Sequence, residues 1–215
     1  MRVLDLFSGL GGFSQAFKDR GHSVTTFDIN PDFHADYQGD IMRISRLEPE
    51  PDIILASPPC QTFSMMSLAK YWNIDNTPKN ETAHRALALV LHTRNLIEQA
   101  NPRFFLLENP RGKLRKLIGL PDATITWCQY GARVQKMTDL WGNLPQTFEI
   151  RKCKNGDSCH DSAPRGSRTG TQNNLSSAER AKIPYGLSYE YCRAVELSLW
   201  KPGSLSIYLS TSNRS

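Results

Sequence analysis

An α/β fold with a parallel sheet and helical crossovers is what this sequence predicts, on three observations. Short apolar runs of strand length alternate with segments of helical periodicity, as in consecutive strand-helix-strand units. A glycine cluster closes the first apolar run and opens a helical pattern. From residue 146 to 182 apolar periodicity almost vanishes among Lys, Arg, Asn, Ser, Thr and Gly, as expected of a loop-rich insert.

Taken in order, Val3 to Phe7 predicts a strand, Ser8 to Gly12 a glycine turn, and Phe13, Ala16 and Phe17 a helix up to Gly21. Val24 to Ile29 predicts a second strand closed by Asn30-Pro31, and Asp52 to Ala56 a third ending at Ser57-Pro58-Pro59. Leu87, Leu91 and Ile97 give a long amphipathic helix over His84 to Ala100, stopped by Asn101-Pro102. Phe104 to Glu108 follows as a strand, then Ala123 to Gln129 and Met137 to Leu140. A last helix is expected over Ser188 to Trp200, ended by Lys201-Pro202-Gly203.

This pattern divides the 215 residues into a main domain over 1–145, an insert over 146–182, a segment 183–205 packing back on the main domain, and a tail 206–215. A hydrophobic fraction of 39% with 22% charged residues suits a globular core and excludes fibrous or low-complexity readings. No apolar run reaches membrane-spanning length and no signal-peptide pattern follows Met1, so a cytoplasmic protein without membrane partners is expected. The five cysteines form an odd, irregular set, for which reduced thiols are the expectation. The net charge of +5 is unevenly held: residues 1–102 carry 9 Lys/Arg against 12 Asp/Glu, and residues 103–215 carry 17 against 9. Any polyanion-facing surface is therefore expected in the second half.

Chemistry-bearing residues collect at the predicted strand ends. Glycines after the first strand of a parallel sheet let the backbone approach a nucleoside-bearing ligand, although the spacing is not the G-x-G-x-x-G of a pyrophosphate grip. Asp28 at the second strand tip could accept hydrogen bonds from ribose hydroxyls, and Gly39-Asp40-Ile41 offers a carboxylate beside an apolar residue. A structural glycine turn with ordinary acidic loops is the other reading. Cys60, stiffened by Pro58 and Pro59 beyond the third strand, has the fixed exposure a nucleophilic thiol needs; a loop cysteine that merely packs is the alternative. Glu108 ends a strongly apolar strand, where partial desolvation would help it hold a proton.

Asp5 to Gly12, Ser57-Pro58-Pro59-Cys60-Gln61 and Leu107-Glu108-Asn109-Pro110, in this order, resemble the first, fourth and sixth motifs of the cytosine-C5 DNA methyltransferases. Phe27 to Pro31 and Gly39 to Ile41 extend the resemblance through residues 1–110. It implies a Rossmann-like, S-adenosylmethionine-dependent methyltransferase sheet with a small recognition insert, in a bacterial, archaeal or phage-encoded monomer acting on double-stranded DNA. By matching position, Phe7, Ser8, Gly9, Leu10, Gly11 and Gly12 would cradle the methionine end, Asp28 the ribose and Ile29 the adenine face. Asp40 and Ile41 would meet the adenine edge, Pro59 the sulfonium side, and Leu89 the adenosine. Cys60 would be the nucleophile and Glu108 the acid, with Gln61 and Ser64 toward the DNA. The stretch from Thr62 to Asn80, with Met65, Met66, Tyr71 and Trp72, reads either as a mobile loop over a flipped base or as core packing.

The resemblance thins after residue 110. Where the eighth motif carries a glutamine and two arginines, Tyr130-Gly131 is followed by Ala132-Arg133-Val134-Gln135-Lys136, leaving Arg133 and Lys136 as alternatives for the cytosine O2 or a phosphate. The late Gly-Asn-Ser element is missing, and Ile183 to Ser188 is expected in its place. Recognition would fall to the insert, through Arg151, Lys152, Lys154, Arg165 and Arg168. Cys153, Cys159 and His160 lack paired spacing and an evident fourth ligand, so free thiols rather than a metal are expected. Two rival functions are a tRNA methyltransferase of the same fold, whose usual Cys-Phe-Thr tripeptide is absent here, and an inactive nucleic-acid-binding relative.

Overall fold

The computed structural model describes residues 1–154, 156–161 and 176–200. Its elements are β1 (Arg2–Leu6), α1 (Gln15–Asp19), β2 (Ser23–Asp28), β3 (Tyr37–Gln38), β4 (Ile53–Ala56), α2 (Leu68–Tyr71), α3 (Glu81–Ala100), β5 (Phe104–Pro110), α4 (Leu114–Leu117), β6 (Ala123–Thr126), β7 (Met137–Gly142), α5 (Ser177–Ala181) and α6 (Tyr185–Leu199). Among the described residues the strands form one sheet in the order β3-β2-β1-β4-β5-β7-β6.

Strand alternation builds two cores. Ile53 and Leu55 face one layer with Val3 and Leu106, where α1 and α6 contribute Phe17, Tyr191 and Val195. Ile54 and Ala56 face the other with Leu6 and Leu107, where α3 contributes Val90, Leu96 and Ile97. All four β4 side chains are fully buried, which is why this strand is continuously apolar. The Asn80 side chain accepts from Ala83 N at 3.1 Å and caps α3, starting it earlier than the apolar pattern suggests. Asn101, at φ 42°, ends it before Pro102.

Several expectations are corrected. The sheet is mixed: β7 pairs antiparallel with both β5 and β6, because the link from β6 to β7 is too short for a crossover helix. β6 stops at Thr126, since Trp127–Tyr130 turns into a 3-10 helix closed by Gly131 at φ 90°. Leu91 lies on the outer face of α3, 48% exposed. Within the predicted insert, Phe148 is a core residue, stacked on Tyr130 and edge-on to Tyr191. The 206–215 tail lies outside the described residues.

β1 has β2 on one side and β4 on the other, so the chain reverses its direction across the sheet there. In open sheets of this kind the binding crevice lies outside the carboxyl ends of the strands at that reversal.

Candidate active site

A cavity of ≈ 300 Å³ occupies this crevice. Phe7, Ser8, Gly9, Leu10 and Gly12 line it after β1, Asp28 and Ile29 at the end of β2, Pro59, Cys60 and Gln61 after β4, and Glu108 on β5. Lys136, on the approach to β7, completes the set.

The turn after β1 is built by backbone conformation. Phe7 and Gly9 adopt φ of 61° and 51°, a left-handed region that glycine enters without penalty. The Asp28 carboxylate accepts from Gly9 N and Asn30 N, each at 2.9 Å, locking the two strand ends together. Gly12 has no room for a side chain, because a Cβ would stand 2.5 Å from the Ile183 carbonyl. Ser188 Oγ donates to Phe13 O at 2.6 Å and accepts from Ala16 N at 3.1 Å, so α6 grips the same turn from behind.

After β4, Ser57 Oγ donates to Phe7 O at 3.2 Å, and Asn109 Nδ2 on β5 donates to Pro58 O at 2.9 Å. The Cys60 carbonyl accepts from Phe63 N and Ser64 N, coiling the chain into a turn behind the thiol. Phe63 is buried and stacked on Trp72, whose Nε1 donates to Thr62 O at 2.7 Å. Trp72 is thus core packing, while Met65 and Met66 stand exposed.

Burial pushes the Glu108 carboxyl above the usual carboxylate range, opposed by the Lys136 ammonium. Burial likewise raises the Cys60 thiol, again opposed by Lys136, while the Glu108 charge raises it further. Glu108 lines the cavity, and its Oε1 is buried without a hydrogen-bond partner among the described residues. The site therefore holds a buried acid and a thiol whose proton affinities burial raises, with the Lys136 ammonium favouring the deprotonated form of each.

Other expected residues lie elsewhere. Arg133 is exposed and pairs with Asp161 at 3.1 Å, so of the two alternatives only Lys136 reaches the cavity. Lys136 also stacks over the Trp127 ring at 3.5 Å. Gly11 shapes the turn without lining the cavity, through its N–H to Ser8 O at 2.8 Å. The Asp40 carboxylate caps the short turn Ile41–Arg43, and Ile41 is buried in the α3-side core. Leu89 packs against that same core. Ser64 Oγ bonds Ser67 Oγ at 3.0 Å outside the cavity. Arg151 is held by Glu149 and Glu190, whereas Lys152 and Lys154 are exposed. Arg165 and Arg168 lie outside the described residues.

One wall escaped the sequence reading. Ala178, Ala181, Lys182 and Ile183 close the cavity from α5 and the residues after it. The signal was available: Ser176 and Glu179 form a reciprocal capping box, the S-x-x-E pattern of a helix start. Lys182 and Ile183 also wall an adjoining groove of ≈ 850 Å³ that holds Arg133 and Arg151.

A thiol, a buried acid and a glycine turn at the carboxyl edge of an open α/β sheet are the site arrangement of a Rossmann-like methyltransferase. The chain belongs to the C-5 cytosine-specific DNA methylase family, whose model matches residues 1–117. It is similar to the "Probable DNA (cytosine-5)-methyltransferase" of Frog virus 3 (isolate Goorha), 29% identical over 170 residues, 74% of this chain and 78% of that protein. It is also similar to the type II methyltransferase M.BsuFI of Bacillus subtilis, 31% identical over 126 residues, which cover 53% of this chain but 28% of the bacterial enzyme. A solved methyltransferase, EhMeth of Entamoeba histolytica, aligns with a TM-score of 0.48 and 17% identity over 72% of this chain and 57% of that one. No helix among the described residues is long and apolar enough to cross a membrane.

Proposed function

We propose that the chain methylates C5 of cytosine in double-stranded DNA, with S-adenosylmethionine as methyl donor. One observation carries the reading: Cys60 and Glu108 open into the same cavity as the glycine turn and Asp28, with Lys136 acting electrostatically on both.

The cavity suits an adenosyl cofactor. Leu10 and Ile29 expose apolar side chains on its wall, 45% and 63% accessible, which an adenine ring would cover. A side chain at Gly9 would stand 4.0 Å or more from every neighbour, so the bare turn reflects its backbone conformation and leaves room for a ligand. Phe7, Ser8, Gly9, Leu10 and Gly12 would hold the methionine end, Asp28 and Ile29 the adenosine, and Pro59 the sulfonium side. When bound, the cofactor supplies an electrophilic methyl group.

The remaining demands fall on the chain. Cytosine C5 is a poor nucleophile, so the Cys60 thiolate adds to C6 while Glu108 delivers a proton to N3, and electron density moves to C5. Lys136 offsets part of the cost of forming that thiolate in a desolvated pocket. Once C5 carries the methyl group, loss of the C5 proton to a base expels the Cys60 thiolate from C6, and N3 returns its proton to Glu108, which restores the ring. Because C5 and C6 are hidden in a duplex, the base must leave the stack, at a cost of a few kcal/mol. Exposed Lys152 and Lys154 are free to meet phosphates, whereas Arg151 is committed to two carboxylates.

The test is transfer of labelled methyl from S-adenosylmethionine to a duplex DNA library and to tRNA, side by side, followed by base analysis. 5-Methylcytosine in the DNA alone is expected. Label in tRNA alone, or in neither, overturns the reading.

A further inference from the structure

Outside the cavity, four metal-binding side chains from separated parts of the sequence converge. Cys128 sits in the 3-10 turn after β6, and Cys153, Cys159 and His160 follow in the loop beyond β7. Their donor atoms all lie within 4.8 Å of one another. Cys128 Sγ is 3.1 Å from Cys153 Sγ and 3.6 Å from Cys159 Sγ, while His160 Nδ1 is 3.5 Å from Cys159 Sγ and 3.8 Å from Cys153 Sγ. Tetrahedral zinc with three thiolates and one imidazole sets donor-donor edges of about 3.5–3.8 Å. The described edges bracket that range.

We infer that Cys128, Cys153, Cys159 and His160 bind one zinc ion in a closed, structural Cys3His site. The sequence conceals this because the fourth ligand lies 25 residues before Cys153, on the far side of β7. The surroundings support it. Gln135 Nε2 donates to Cys153 Sγ at 3.3 Å, an N–H to sulfur contact that steadies a thiolate ligand. Cys153 N donates to Thr126 Oγ1 at 2.9 Å and Thr126 N to Arg151 O at 3.1 Å, so the backbone already holds the ligand loop against β6. A second group, His22, Cys192 and Glu196, differs: Arg20 neutralises Glu196 through two hydrogen bonds of 2.8 and 2.5 Å, leaving no demand for a cation.

Binding replaces three thiol protons with the dication and leaves His160 neutral, so three protons are released and the centre carries one negative charge. With four protein ligands no position is open to substrate, and the ion's work is mechanical. It ties the loop bearing Lys152 and Lys154 to the turn bearing Trp127, over whose ring Lys136 stacks. The site stands independently of the methyl-transfer reading.

The test is the metal content of the full chain, purified under reducing conditions without chelator. Elemental mass spectrometry should find about one zinc per chain. Cobalt exchanged for zinc should give the intense sulfur-to-metal charge-transfer absorption of a tetrahedral thiolate site, lost in Cys128→Ser and Cys159→Ser and retained in Cys60→Ser. The wild-type cobalt spectrum decides the matter even if the ligand variants do not fold. Folded protein with neither zinc nor cobalt uptake, a Cys128–Cys153 disulfide in its place, or a spectrum that survives both ligand substitutions overturns the site.

Discussion

Asn109 donates a buried hydrogen bond from Nδ2 to the carbonyl of Pro58 at 2.9 Å. The residue after the candidate acid Glu108 thereby holds the peptide two residues before the candidate nucleophile Cys60. Two motifs far apart in sequence are one mechanical unit, which fixes the distance between acid and thiol. Removing the donor leaves the Pro58 carbonyl buried and unpaired, a cost of about 1–3 kcal/mol. Asn109→Ala is expected to lower the denaturation midpoint and to reduce the methylation rate about tenfold or more, with cofactor affinity little changed, as read by chemical denaturation and steady-state kinetics.

Lys136 lowers the proton affinity of both Cys60 and Glu108. The rate should rise with pH as the Cys60 thiol ionises and fall as Glu108 loses its proton. Substituting Lys136→Gln removes the positive charge, raises both, and is expected to move both limbs of the pH-rate profile upward. Arg133→Gln, distant from the cavity and paired with Asp161, should leave the profile in place. A profile that moves with Arg133 instead would reverse the assignment.

Gly12→Ala tests the contact between the glycine turn and the segment after α5. The added methyl would meet the Ile183 carbonyl at 2.5 Å and the Lys182 side chain at 2.9 Å, so the wall must move. Overpacking of this kind costs about 1–3 kcal/mol. Calorimetry should find weaker S-adenosylmethionine binding in this variant, while Gly21→Ala, strained at φ 78° but remote from the cavity, should lose stability without losing affinity.

Asp5, buried under the turn and bonded by Ser14 Oγ at 2.6 Å, has its pKa raised from 3.8 to about 7, chiefly by burial. The native state therefore keeps a proton that the unfolded chain releases, so the Asp5 contribution to stability is complete below pH ~4 and is lost as pH rises through ~7. Glu196 acts oppositely: the Arg20 hydrogen bonds lower it, so its contribution is lost on acidification. Asp5→Asn should flatten the decline between pH ~4 and ~7 in denaturation midpoints. An unchanged slope would mean that Asp5 is ionised throughout that range.

The legible parts of this protein were those encoded locally. Strand β4 is apolar at every position, the glycine turn follows β1 directly, Cys60 follows β4 by four residues and Glu108 closes the apolar run of β5, so each was visible within a few residues. What escaped depends on tertiary pairing. Nothing local separates Lys136 from Arg133; the antiparallel return of β7 turns one toward the cavity and leaves the other with Asp161. Ser188 reads as an ordinary helical serine until α6 docks on Phe13 and Ala16. Cys128 belongs to a strand end in sequence and to the Cys153 cluster only in space.

The central claim is that Cys60 attacks cytosine C6 in the cavity it shares with Glu108, and trapping that bond is its most direct test. Duplex DNA carrying 5-fluorocytosine cannot release the C5 substituent as a proton, so an enzyme that has added its thiol stays attached. Incubation with S-adenosylmethionine should give a denaturation-resistant protein-DNA adduct that maps to Cys60 by peptide mass spectrometry and is absent in Cys60→Ala. Methylation of ordinary DNA with no such adduct, or an adduct that persists in Cys60→Ala, would contradict the account.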